Sequence, residues 1–127
     1  MSGPETATDD DSTEARGPPA ADCCSASHSL TDPEVAADVR TLATLGNDTR
    51  YEVLRLIAEG DDDGVCVCEL EPALGVSQSA ISQALSRLFD AGLVERRKEG
   101  RWRYYTVTAR AERLLAVLDE TRAVNDD

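Results

Sequence analysis

The 127-residue sequence contains one lysine, one histidine and five aromatic side chains, and it has no long apolar run. Each scarcity excludes something. A single histidine, His28, leaves no histidine–carboxylate pairing for general base work, and no glycine-rich phosphate loop or nucleophile–base pair accompanies it. An enzyme is therefore not expected, and neither is an organic cofactor. With so few aromatics the core must be built from Leu, Val, Ile and Ala, and a dimer interface would enlarge it. No stretch approaches the roughly 18 apolar residues needed to span a bilayer, and no basic start leads into an apolar segment. The expected location is the cytoplasm, with no membrane partner.

What is abundant is acid. The chain carries 25 acidic residues, 14 of them Asp, against 13 basic ones, for a formal charge of −12. Acids spread along the whole chain and a near-absence of lysine read as salt adaptation, a surface that stays hydrated in concentrated salt.

Composition divides the chain into three parts. Residues 1–30 are rich in Ser, Thr, Pro, Gly and acids without apolar periodicity, which predicts a disordered acidic arm carrying Cys23 and Cys24. Residues 31–124 hold all the periodic segments, and 125–127 form an acidic tail. A first helix is expected from Asp32 and Pro33 to about Leu45, with Val35, Val39 and Leu42 at helical spacing. A second runs from about Asp48 to Gly60, presenting Tyr51, Leu54, Ile57 and Ala58. A short third helix, about Cys68 to Leu74, turns through Gly75-Val76 into a fourth capped by Ser77, which places Ile81, Leu85 and Leu88 on one side. Two β-rich segments, Leu93–Arg97 and Arg101–Thr108, form a hairpin around Lys98-Glu99-Gly100. A last helix, about Ala109 to Arg122, carries an apolar stripe of Leu114, Leu115, Val117 and Leu118, most economically buried against a second copy of the chain.

The resulting class is mainly α with a β-hairpin, in the order ααααβ-βα. Two short helices joined by a glycine turn and followed by a hairpin form the pattern of a winged helix-turn-helix. The side chains suit the geometry. Ser77, Gln78, Ser79, Ser82, Gln83 and Arg87 offer donors and acceptors for base edges and phosphates. Arg96, Arg97, Lys98, Arg101 and Arg103 oppose only Glu99, a local charge of +4 in a strongly acidic chain and a natural wing. A solvated helix face and a charged edge could explain each feature alone. Their order along the chain favours DNA.

Four cysteines fall in two clusters, Cys23-Cys24 and Cys66-Val67-Cys68. In a reducing compartment they are ligands or reactive groups rather than disulfides, although packing as small apolar groups would also accommodate Cys66 and Cys68. Thiolates suit soft ions. Residues two apart in a helix point to nearly opposite sides, so Cys66 and Cys68 could share one ion only if the start of the third helix unwinds. Otherwise one of them joins ligands from elsewhere.

The segment VCVCELEPALGVSQSAISQALSRLFDAGLVERRKEGRWRYYTVT resembles the arsenical-resistance-repressor (ArsR/SmtB) family of metal-responsive winged-helix regulators, over about residues 34–122. The resemblance implies a homodimer joined through the first and last helices that represses by occupying operator DNA. It places Cys66 and Cys68 in the family's metal-binding box. Two positions depart from the pattern. Ala84 stands where many relatives have histidine, removing one possible DNA contact, and Glu71 stands where arsenic-responsive members have a third cysteine.

Cys23 and Cys24 could complete the broken site. Together with Cys66 or Cys68 they would give a three-coordinate site for arsenite or antimonite, and all four thiolates would suit cadmium, lead or zinc. His28 reads as an exposed arm residue. No histidine follows Ala109, so the site that other branches build on the last helix is absent. Two rival readings remain: a thiol redox regulator of the same fold, and a metal-buffering thiol protein without a DNA role.

Overall fold

A computed structural model of the chain describes residues 24–125, with side chains through Arg122. Cys23 and the preceding residues lie outside the described part, as do Asp126 and Asp127. The chain divides into two units, one ending at Thr31 and the other beginning at Asp32. In the described part of the first unit, Cys24 to Thr31 are exposed, and His28 Nδ1 accepts a hydrogen bond from the Leu30 N–H at 3.1 Å.

The second unit runs α1 (Asp32–Leu45), α2 (Asp48–Ala58), β1 (Val65–Cys66), α3 (Val67–Leu74), α4 (Gln78–Asp90), β2 (Val94–Glu99), β3 (Trp102–Val107) and α5 (Ala109–Asn125). The four helices, the hairpin and the final helix agree with the expected order. β1 is an addition: only two residues long, it pairs Val65 with Tyr105 and Cys66 with Tyr104, so β3 lies at the centre of an antiparallel sheet. Two residues cannot display an alternating pattern, which hides such a strand from periodicity. The hairpin turn is also tighter than expected. Lys98 and Glu99 pair with Arg103 and Trp102, and only Gly100 and Arg101 are left to reverse the chain. Gly100 supports this with φ of 63°.

Local chemistry sets the helix ends. Asn47 caps α2, its side chain accepting from the Arg50 N–H at 3.0 Å. The Arg50 guanidinium reaches back to the carbonyls of Thr44 and Ala43, tying the end of α1 to the start of α2. Gly75, at φ 69°, gives the left-handed cap that ends α3 and donates to the Glu71 carbonyl. Ser77 then caps α4 by accepting from the Ala80 N–H at 3.1 Å. Pro72 lies inside α3. It has no N–H to offer the Cys68 carbonyl four residues back, so the first turn of α3 lacks one rung of its ladder.

The core is aliphatic. Val53, Leu54 and Ile57 of α2, Leu70 of α3, Ile81, Leu85 and Leu88 of α4, and Leu93 and Val94 at the hairpin entrance are all buried, joined by Tyr105, Ala111 and Leu115. Each such side chain contributes about 1.5–3 kcal/mol relative to exposure. The outer helices behave differently. On α1, Val39 and Leu42 are exposed, while Thr41 and Thr44 face inward and return their hydroxyls to the carbonyls of Ala37 and Arg40. On α5, Ala111 and Leu115 are buried but Val117 and Leu118 are exposed. Arg110 joins the two helices by donating to Thr41 Oγ1, and Arg55 of α2 pairs with Asp119 of α5. That pairing, with Arg122 second, holds the Asp119 carboxyl below its ordinary pKa.

Candidate nucleic-acid interface and thiol pair

The two cysteines of the box do not sit in one helix. Cys66 is the last residue of β1 and the N-cap of α3, with extended backbone (φ −79°, ψ 145°), while Cys68 is in the first turn. The opposite-sides expectation holds only when both are helical. Because the chain turns a corner at Cys66, the two sulfurs converge to 2.7 Å without being bonded.

The cap holds that corner. The Cys66 N–H donates to Glu69 Oε2 at 3.0 Å, and the Cys68 N–H donates to Cys66 Sγ at 3.4 Å, a capping box with sulfur in place of a hydroxyl. Cys66 is buried and Cys68 exposed. The Cys68 thiol donates to Cys66 Sγ. This bond, followed by desolvation and by the charges of Cys66 and Glu69, raises the Cys68 pKa above the ordinary thiol value. Two thiolates on a tetrahedral ion with metal–sulfur bonds of about 2.3 Å lie about 3.8 Å apart. The corner at Cys66 puts the two sulfurs side by side, so no helix must unwind for both to reach one ion. Among the described residues no larger cluster of metal-type side chains occurs. Cys24 belongs to the first unit, and Cys23 lies outside the described residues.

The DNA-contact candidates sort by face. On α4, Ile81, Ala84, Leu85 and Leu88 point into the core, leaving Gln78, Ser79, Ser82, Gln83, Ser86 and Arg87 exposed. Ser77 uses its hydroxyl as the cap. Ala84 is 4% exposed, so the position where many relatives have histidine faces inward. Among the five described helices α4 alone has no acid in its first turn. The positive end of its dipole is thus left for an incoming phosphate.

Residue alternation divides the wing. Val94, Arg96 and Lys98 share one face of the hairpin with Arg103, Tyr105 and Val107, and the burial of Val94 and Tyr105 marks this as the core-side face. Its cations therefore continue the core face outward, toward α4. Arg96 stacks on Phe89 of α4, 4.2 Å from the ring centroid. Arg97 lies on the other face. There it donates to the Asp63 carbonyl at 2.8 Å, pairs with Glu99 and stacks over Tyr104. Lys98, Arg101 and Arg103 are exposed and have no ion pair among the described residues.

Between α4 and the hairpin lies an open cleft of about 860 Å³. Gln78, Ser82 and Ser86 of α4, Arg96, Lys98, Arg101 and Arg103 of the hairpin, and Cys66, Cys68 and Glu71 line it together. The thiol pair and the DNA-contact candidates thus share one cavity. Gln83 and Arg87 instead line a smaller depression, about 220 Å³, with Asn47, Thr49 and Arg50 at the start of α2. Sequence reasoning passed over these three. The Asn47 cap was their only signal, and nothing local says that α2 begins beside α4.

Residues 47–96 match the family described as bacterial regulatory protein, arsR family. A *Halobacterium salinarum* protein whose name describes an arsenical resistance operon repressor is 58% identical over 100 residues, covering 79% of this chain and 83% of the relative. The chain belongs to the arsR family. A second *H. salinarum* protein, also named for arsenical resistance operon repression, is 48% identical over 90 residues, covering 71% of this chain and 69% of its own. Among solved structures, a homodimeric winged helix-turn-helix DNA-binding domain from *Mycobacterium bovis*, described as a possible ArsR-family regulator, superposes with a TM-score of 0.64 at 28% identity. It covers 74% of this chain and 88% of that one. This arsR-family chain is a winged helix-turn-helix transcriptional repressor and not an enzyme. No described helix is long and apolar enough to cross a membrane.

Proposed function

We propose that this repressor holds operator DNA as a homodimer and releases it when a thiophilic ion binds its cysteines. Arsenite or antimonite is the favoured inducer, with cadmium, lead and zinc as alternatives. The observation that carries this reading is the single cleft that brings the Cys66–Cys68 pair beside Gln78, Ser82 and the wing cations. An ion held by both sulfurs pulls on the start of α3, where Pro72 has already removed one rung, and α3 leads through a single tight turn into α4. The names of the two *Halobacterium* relatives support an arsenical as the signal.

Cys66 and Cys68 supply two donors. A three-coordinate ion needs one more and a four-coordinate ion two, for which Cys23 and Cys24 of the arm are the chain's own candidates. On the DNA side, Gln78, Ser79, Ser82 and Gln83 meet the bases, the α4 terminus at Ser77 and Arg87 meets phosphate, and Lys98, Arg101 and Arg103 meet the backbone or minor groove, with Arg96 behind them. Dimerisation covers the exposed Val39 and Leu42 of α1 and Val117 and Leu118 of α5.

The test joins two readings in one titration. Operator affinity of the reduced chain is followed by fluorescence anisotropy while arsenite, antimonite or cadmium is added, and thiolate-to-ion absorption is recorded in parallel. Release should track absorption, and by linkage operator DNA should weaken ion binding by the same factor. Cys66→Ser with Cys68→Ser should abolish both signals, and Ser at 66 is itself a good helix cap. Undisturbed operator affinity with all three ions would reject ion sensing. Release by peroxide alone, without metal, would favour the redox reading instead.

A further inference from the structure

The cleft is lined by two thiols and by Glu71, and among the described residues no third metal-type side chain joins the pair. A carboxylate is a poor ligand for a soft ion. A soft ion on the pair therefore lacks a third ligand among the described residues, and the cleft that the thiols line is also lined by Lys98, Arg101 and Arg103, which have no ion pair among those residues. A cleft of about 860 Å³ lined by both thiols and cations suits a small molecule carrying a thiol and a carboxylate.

We propose that arsenic(III) binds this repressor as a mixed complex, with Cys66 and Cys68 as two ligands and a small anionic thiol from solution as the third, its carboxylate held by the wing cations. The inference rests on the thiol pair being the ion site. The chemistry is a condensation without redox change. Arsenous acid, As(OH)3, loses three hydroxides, each leaving as water with the proton of one thiol, and three As–S bonds replace three As–O bonds. Arsenic stays trivalent and no oxidant is required.

The consequence for DNA is direct. The carboxylate occupies the cations that would otherwise meet phosphate, so release follows from competition within the cleft. Glu71 is the one acid in its lining, against the cations Arg96, Lys98, Arg101 and Arg103, so the cleft as a whole attracts anions.

The test uses the full-length chain and three thiols of similar size and different charge: 3-mercaptopropionate, 2-mercaptoethanol and cysteamine. Cys23→Ser with Cys24→Ser removes the arm thiols. In that variant, arsenite at equal thiol concentration should bind about tenfold more tightly with 3-mercaptopropionate than with 2-mercaptoethanol, and most weakly with cysteamine. Native mass spectrometry should find one thiol per bound arsenic. Adding Lys98→Gln, Arg101→Gln and Arg103→Gln should reduce the preference to within about threefold. Equal affinity with all three thiols, or bound arsenic without a thiol, would overturn the proposal. So would arsenite binding by the unmodified chain that disappears in the arm variant whatever the thiol, because the arm would then supply the third ligand. Failure of arsenite to bind the unmodified chain under any of these conditions would reject the thiol-pair site itself.

Discussion

The two faces of the hairpin carry similar side chains and do different things. On the core-side face, Arg96, Lys98 and Arg103 continue a buried surface outward and end over the cleft beside α4. On the opposite face Arg97 is consumed by its surroundings: a carbonyl of the Asp61–Asp63 loop, a carboxylate and an aromatic ring. Cations that look equivalent as a run are thus divided, the strand residues by a period of two and Arg101 by the turn, into four that line the cleft and one that anchors the wing.

The largest effect expected from this division is on the open side. Lys98→Gln, Arg101→Gln and Arg103→Gln together should weaken operator binding by on the order of a hundredfold at moderate salt and lower the salt slope by about 0.9 for each phosphate contact removed. Anisotropy across a salt series measures both, and an unchanged slope would mean that these side chains do not meet phosphate. An intermediate effect concerns the two thiols that line the same cleft. Because its bond to Cys66 raises the Cys68 pKa, an incoming ion must displace a proton throughout the neutral range. Cadmium affinity should therefore tighten as pH rises from 6 to 8, by up to about tenfold per unit for each proton displaced, and a flat profile would show that Cys68 is not a ligand. The smallest effect should come from the closed side. Arg97→Gln should leave operator affinity within about threefold while lowering stability by roughly 1 kcal/mol through its lost hydrogen bond and ring contact. Denaturant melts and anisotropy on the same sample separate the two, and a large loss of affinity would erase the distinction between the faces.

Much of this architecture was legible in the residues. Ser77, Gly75 and the spacing of Ile81, Leu85 and Leu88 identify α4 because capping and a 3.6-residue period act locally. The hairpin was legible for the same reason. What escaped was decided by distant partners or by short pieces. The Val65–Cys66 strand exists only because β3 accepts it, and its presence puts Cys66 outside the helix and brings the sulfurs together. The start of α2 beside Gln83 and Arg87, and the inward turn of Ala84, depend on how α2 crosses α4. On α1, the periodic Val39 and Leu42 correctly mark an apolar stripe, yet within one chain Thr41 and Thr44 are the buried residues. In the proposed homodimer that stripe is covered by the second copy.

The proline in α3 has a consequence for timing. A helix of eight residues with one amide missing beneath Cys68 is a short cooperative unit of its own, flanked by the Cys66 corner at one end and the Gly75 reversal at the other. Its amide protons should exchange with solvent ahead of those of α4, with which it shares Leu70 and Leu85 in the core. Sub-global opening of this kind would let the thiol-bearing turn sample open geometries without melting α4, so that under the proposed function one end of the motif yields to the ion while the other remains folded.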